Sequence, residues 1–153
     1  GLRLGLLASS NQEVILTLKK DVSIWNINSF AEFFLQIFEK YHSEYINALK
    51  EVRNTRKLFL DDLKEIPSLR AVPSQANYIL CEVRNTKITS RRLAEILLSD
   101  FEILIKDLSN KRGVCGRNYI RLSVRTKKEN DKLLNALKRV FSEEPGIPQD
   151  DEK

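Results

Sequence analysis

The sequence predicts an α+β domain: a small mixed or antiparallel sheet covered by helices and preceded by a long helix with a kink. Three observations predict it. No glycine falls between Gly5 and Gly113 and no proline before Pro67, so little interrupts a helix across the first half. From Phe30 the apolar residues recur at helical spacing. After Pro73 the pattern changes to short apolar or alternating runs, which are strand signals, separated by one further helical segment. With 153 residues, 42% of them hydrophobic and 31% charged, the chain can bury one real core and is too apolar for disorder.

In chain order, Leu2 to Ala8 reads as a strand. The helical stripe then runs Phe30, Phe33, Phe34, Ile37, Phe38, Tyr41, Tyr45, Ala48, Leu49, Val52, Phe59, Leu63 and Ile66. That is long for one straight helix, and a break is expected around His42-Ser43, where the stripe shifts and serine can restart a helix as a cap. Ser29 with Glu32 suits a capping box at its start, and Asn26 or Asn28 would serve equally well as the cap. Pro67 and Pro73 close the helical region. Residues 77–83 read as a strand with apolar residues on both faces, and residues 89–100 as a short helix carrying Leu93, Ile96 and Leu97 on one face. Ile103-Leu104-Ile105-Lys106 reads as a buried strand whose last side chain emerges at a sheet edge, followed by a loop at 107–118 with Gly113 and Gly116. Residues 119–125 alternate strictly, placing Ile120, Leu122 and Val124 on a core face and Arg121, Ser123 and Arg125 on the other. Thr126 and Glu129 then form a capping box for a last helix carrying Leu133, Leu134, Leu137, Val140 and Phe141. The end, residues 142–153, is acidic and punctuated by proline and glycine, and is expected to be a flexible tail.

Composition narrows the function. No apolar run approaches the ~20 residues needed to cross a bilayer, and the start has no secretory pattern, so a cytoplasmic protein is expected. Cys81 and Cys115 lack partners at ligand spacing, so reduced thiols and no metal site are expected. The single histidine, His42, is expected on a helix surface. Net charge is +5, and residues 1–141 carry 25 bases against 16 acids. Residues 106–128 hold eight bases (Lys106, Lys111, Arg112, Arg117, Arg121, Arg125, Lys127 and Lys128) against Asp107 alone. That concentration favours an anionic partner: a phosphate, a carboxylate or nucleic acid.

Several local patterns together resemble one family, the pyridoxal-phosphate-dependent aminotransferases of fold type I, in the branch of histidinol-phosphate aminotransferase and threonine-phosphate decarboxylase. Gly1-Leu2-Arg3-Leu4-Gly5 resembles the G-x-R-x-G segment after the cofactor-anchoring lysine. Trp25-Asn26-Ile27-Asn28 is similar to the start of the interdomain helix. Ser74-Gln75-Ala76-Asn77-Tyr78 resembles the S-x-A-N-F strand entry, and Ile103 to Asp107 the I-x-[RK]-D strand. Residues 119–126 with Glu129-Asn130 resemble the closing element, which ends in T-x-x-E-N.

By this resemblance residues 1–24 are a remnant of the large cofactor-binding domain and residues 25–141 the C-terminal small domain. It implies that Arg3 binds the cofactor phosphate and Arg121 grips the substrate α-carboxylate as a bidentate pair. It implies that Lys106, where phosphate-substrate relatives carry arginine, and Arg117 contact a further anionic group; lysine neutralises a phosphate without the planar fork. Arg125 matches a basic position of the decarboxylase branch and could equally face solvent. Asn77 and Trp25 are read as packing and domain-junction residues. The small molecule implied is an amino acid or a phosphorylated amino acid, and the complete enzyme is implied to be a homodimer without nucleic-acid or membrane partners. The anchoring lysine precedes the first motif, since Lys19 and Lys20 lie after it. This chain alone is therefore expected to lack the catalytic residues and to be inactive without the N-terminal large domain. The same domain could serve a phospho-amino-acid decarboxylase. From another class, a basic anion- or nucleic-acid-binding module would rest on the 106–128 cluster and bind with a steep salt dependence.

Overall fold

A computed structural model describes residues 2–24, 26–85, 87–114 and 116–143. Trp25, Cys115 and residues 144–153 lie outside the described residues, and with them the junction tryptophan, one of the two expected thiols and most of the expected acidic tail. The chain divides into two compact units, Gly1–Ala48 and Leu49–Lys153, and the longest helix contains the division.

The first unit holds α1 (Gln12–Asp21), α2 (Ser29–Phe38) and the start of α3 (His42–Lys64). Asn11 caps α1 by accepting from the Val14 amide, and Asn28, not Ser29, caps α2 by accepting from the Ala31 amide at 3.0 Å. The break between α2 and α3 falls where the apolar stripe shifts. There Tyr41 N–H bonds back to the Phe38 carbonyl and His42 N–H to that of Glu39, a tightened turn between two α-helices. Phe34, Phe38, His42 and Tyr45 pack edge-on across the break with ring centroids 5.3–6.3 Å apart.

The strand expected at Leu2 to Ala8 does not form. Those residues are irregular, and Leu6 and Leu7 are exposed. An apolar run alone does not make a strand, because its backbone groups need a neighbouring strand to bond.

The second unit is a four-stranded sheet in the order β1-β2-β4-β3, with every pair antiparallel. Its strands are β1 (Leu69–Val72), β2 (Tyr78–Val83), β3 (Lys106–Asp107) and β4 (Tyr119–Ser123). Helix α4 (Ser90–Phe101) and helix α5 (Lys127–Glu143) cover one face together with α3. The core is built from Ile79, Cys81 and Val83 of β2 and Ile120 and Leu122 of β4. Against them lie Phe59 and Leu63 of α3, Leu93 and Leu97 of α4, and Leu133, Leu134 and Leu137 of α5. Every strand residue named here sits at an alternate position, so the opposite face of the sheet carries the other set. No helix of the described residues is long and apolar enough to cross a membrane.

Two strands depart from expectation. β1 is an element that the pattern between Pro67 and Pro73 did not announce, being only four residues long. The strand expected at 103–106 shrinks to Lys106–Asp107. Glu102 takes a left-handed φ of 56° to end α4, and the Ile103 amide bonds back to the Leu97 carbonyl. The chain is still completing that helix cap when the strand was expected to begin, and Leu104 is left 81% exposed.

Cys81 lies in the middle of this core with no solvent exposure, and burial alone pushes its thiol up to about 12. We expect Cys81 to stay unlabelled by a thiol reagent at pH 8 in the native protein and to react fully in denaturant, as read by peptide mapping. Labelling at equal rates in both conditions would contradict this packing.

Candidate anion-binding face

The open face of the sheet carries the chemistry. Register places Val72, Leu80, Arg121 and Lys106 on one rung that crosses all four strands, two apolar side chains followed by two cations. Lys106 and Arg121 are direct cross-strand partners, and both are exposed. Like charges opposite each other destabilise a sheet. Among the described residues neither side chain makes an ion pair or a hydrogen bond.

Several of the cations around them are matched. Arg70 donates to Glu82 at 2.6 Å on the next rung, with Arg84 on the same carboxylate at 3.4 Å. Arg125 pairs with Glu129 at 2.6 Å and Lys127 with Asp131 at 2.8 Å, each one helical turn on. Of the described cations on the strands themselves, Arg70 is paired and Arg121 and Lys106 are not. Among the described residues the contact that orients Arg121 is aromatic: its guanidinium lies 5.2 Å from the centroid of the Tyr78 ring.

Local sequence explains how these groups are held. Glu129 and Thr126 close the expected capping box reciprocally: the Thr126 amide donates to the Glu129 carboxylate at 3.2 Å and the Glu129 amide to the Thr126 hydroxyl at 3.4 Å. Asn130 is buried and pairs both backbone groups of Arg125, its Oδ1 accepting from N–H and its Nδ2 donating to C=O, each at 3.0 Å. The turn leaving β4 is thus locked by two consecutive side chains of α5. At the sheet edge Asp107 accepts from the Ser109 hydroxyl and amide. Desolvation raises the Asp107 pKa, and the hydrogen-bonding groups of Ser109, Ser90 and Leu108 together outweigh it, so the net shift is downward. A groove of about 510 Å³ beside this edge is lined by Lys106, Asp107, Asn110 and Lys111.

The Arg125 and Thr126 hydrogen bonds hold the Glu129 carboxyl down to about 2, against 4.5 for the free side chain. A depressed acid stabilises the fold fully above its unfolded value and loses that contribution as pH falls toward its folded one. Stability should therefore decline between about pH 4.5 and pH 2, and Glu129→Gln should flatten that part of the curve. Identical acid-unfolding profiles for the two proteins would refute it.

Comparison with known proteins gives these positions a context. No family model matches the chain. It is 31% identical over 140 residues to a CMP-5'-(3-aminopropyl)phosphonate synthase of Streptomyces rubellomurinus, covering 92% of this chain and 22% of the relative. It is 28% identical over 145 residues to an L-serine phosphate decarboxylase of Campylobacter jejuni, covering 94% and 36%. The solved histidinol-phosphate aminotransferase of Clostridium acetobutylicum superposes with a TM-score of 0.73 at 30% identity, covering 88% of this chain and 39% of that one. The chain is homologous to part of the fold-type I pyridoxal-phosphate enzymes. It spans between about a fifth and two fifths of the curated relatives described, an extent that accords with a C-terminal portion.

Within this fold-type I homology, the residues singled out from the sequence fall in different places. Arg121 and Lys106 are brought together on one rung. Arg117 sits in the loop before β4, exposed, its amide bonded to the Val114 carbonyl and its carbonyl accepting from Tyr119. Arg3 belongs to the other compact unit. It is exposed, with a left-handed φ of 57°, and Asn28 Nδ2 anchors the adjoining Leu2 carbonyl at 2.8 Å. Among the described residues its side chain has no ion pair or hydrogen bond. Sequence reasoning missed Tyr78 as part of this face and Arg56 as an anchor of the segment leading into β2. Arg56 of α3 donates to the carbonyls of Gln75 at 2.7 Å and Ala76 at 3.1 Å, just ahead of β2. Tyr78 shares the face of Arg121 only through the pairing of β2 with β4, which no local pattern announces. The Arg56 contacts are long-range as well, so no local spacing announces them.

Proposed function

We propose that this chain is the small-domain portion of a pyridoxal-phosphate-dependent aminotransferase, in which Arg121 holds the α-carboxylate of an amino-acid substrate. The observation that carries the reading is the Lys106–Arg121 rung: two neighbouring cations, without counter-charge, on an open sheet face of a chain homologous to such enzymes. The cofactor, when bound, supplies an electron sink for the charge that develops at the substrate Cα. The chain's own residues do the positioning. Arg121 offers a planar fork that fixes the carboxylate and thereby the orientation of the Cα bonds. Arg3 is assigned to the cofactor phosphate, and Lys106 with Arg117 to a second anionic group on the substrate.

In this reading residues 1–24 belong to the large domain and residues 25–141 to the small domain, ahead of an acidic tail at 142–153. The lysine that anchors the cofactor lies outside the 153 residues, so the chain alone is inactive. The complete enzyme is a cytoplasmic homodimer, and closure of its small domain over substrate expels water. The second reading is a phospho-amino-acid decarboxylase, favoured by the cation at position 106 directly beside Arg121 and by the relationship to an L-serine phosphate decarboxylase.

The test is borohydride reduction of the native polypeptide in the presence of pyridoxal phosphate, followed by peptide mapping. A label on one lysine outside these 153 residues supports the reading. No label, or a label on Lys19, Lys20 or any other lysine of this chain, overturns it. Product analysis with O-phospho-L-serine then separates amine plus carbon dioxide from the oxo acid.

A further inference from the structure

The geometry points to Tyr78 as the positioning residue for Arg121, its ring acting as a platform that presents the guanidinium edge to a carboxylate. The inference rests on the reading of Arg121 as the carboxylate ligand.

Arg121 is exposed, and among the described residues it has no ion pair and no hydrogen bond from its side chain. A long side chain in that position would sample many rotamers, and ordering it on binding would cost affinity. Among the described residues the group that limits it is the Tyr78 ring, its centroid 5.2 Å from the guanidinium carbon. Tyr78 pairs with Ser123 in the β2–β4 register, two residues from Arg121 on the same face, which is the diagonal distance an aromatic ring can span. A guanidinium stacked on a ring keeps its N–H donors pointing outward in its own plane, where a carboxylate can take two of them. Tyr78 itself is 39% exposed, so it is available to serve as a platform and is not spent in the core.

The segment ahead of the ring is unusually well tied. The Ser74 hydroxyl donates to the Tyr78 carbonyl at 2.6 Å and accepts from the Ala76 amide at 3.0 Å. Arg56 holds the Gln75 and Ala76 carbonyls, and the Val124 amide donates to the Asn77 carbonyl at 2.9 Å. These bonds come from α3, from the loop itself and from the end of β4. They hold the backbone at Tyr78 against the strand that bears Arg121. The phenol hydroxyl has no part in this arrangement, so phenylalanine should serve and an aliphatic side chain should not.

The experiment is NMR of the whole chain titrated with O-phospho-L-serine. In the unliganded protein the Arg121 side-chain protons should show an upfield ring-current shift and cross-peaks to the Tyr78 ring. Tyr78→Leu should abolish the shift and weaken probe binding about fivefold, the range of a partly exposed cation–π contact, while Tyr78→Phe retains both. Absence of the shift in the wild-type protein overturns the inference whatever the variants do. So does a Tyr78→Leu protein that binds as the wild type does, or a Tyr78→Phe protein that loses binding, and both outcomes leave the role of Arg121 standing. If Arg121→Ala binds the probe as well as the wild type, the proposed function itself fails, and the platform fails with it.

Discussion

Arg121→Ala is expected to lower kcat/KM of the complete enzyme about a hundredfold for an amino-acid substrate, because two charge-assisted hydrogen bonds of about 1.5 kcal/mol each are lost together. The side chain is exposed on the open face and carries no core packing, so the protein should melt as the wild type does. Indeed, removing one of two like charges on the Lys106–Arg121 rung should relieve a local repulsion. This opposite behaviour of function and stability is the signature of a residue kept for binding. Arg121→Lys should recover only part of the loss, since an ammonium keeps the charge without the fork. The same pair of measurements on Lys106→Ala distinguishes substrates: a large loss with O-phospho-L-serine and a small one with an unphosphorylated amino acid would mark Lys106 as the phosphate ligand. A change below about threefold for Arg121→Ala on every amino-acid substrate would end the carboxylate assignment.

Phe59→Ala is expected to destabilise the second unit by about 3–5 kcal/mol, the range for emptying an aromatic position in a packed core. Phe59 is 1% exposed and is among the largest fully buried side chains. It belongs to α3 and packs in the cluster that joins that helix to β2, β4, α4 and α5. Domains of this size are stable by roughly 5–15 kcal/mol, so the variant should retain little margin at 37 °C. Urea unfolding followed by far-UV circular dichroism measures it, with Leu58→Ala, one residue along the same helix and 58% exposed, as the comparison. Similar midpoints for the two variants would mean that α3 does not close the core as described.

Helical content and the main strands were legible because local rules and tertiary demands agree there. The period-two run of β4 kept its faces, with Ile120 and Leu122 fully buried and Arg121 and Ser123 exposed. The Thr126–Glu129 box opened α5, the helical stripe broke at residues 39–41, just ahead of His42-Ser43, and the small antiparallel sheet with its early long helix formed as expected. These are contacts between residues within a few positions of each other, or faces set by a repeat, and both are written directly in the chain.

Where partners lie far apart in sequence, the pattern misled or said nothing. Leu2 to Ala8 reads as a strand and is irregular, because a strand exists only where another strand accepts its hydrogen bonds. β1 exists for the converse reason: four residues suffice when β2 lies alongside. The 103–106 run lost most of its strand to the cap of the helix before it. The charge cluster at 106–128 was plain in the sequence, yet which of its cations are neutralised was not. Arg125 and Lys127 find carboxylates one turn along α5, whereas Lys106 and Arg121 meet each other. Strand order and register made that division. They join residues 15 positions apart on one rung and set Tyr78 beside them, which no local spacing could have announced.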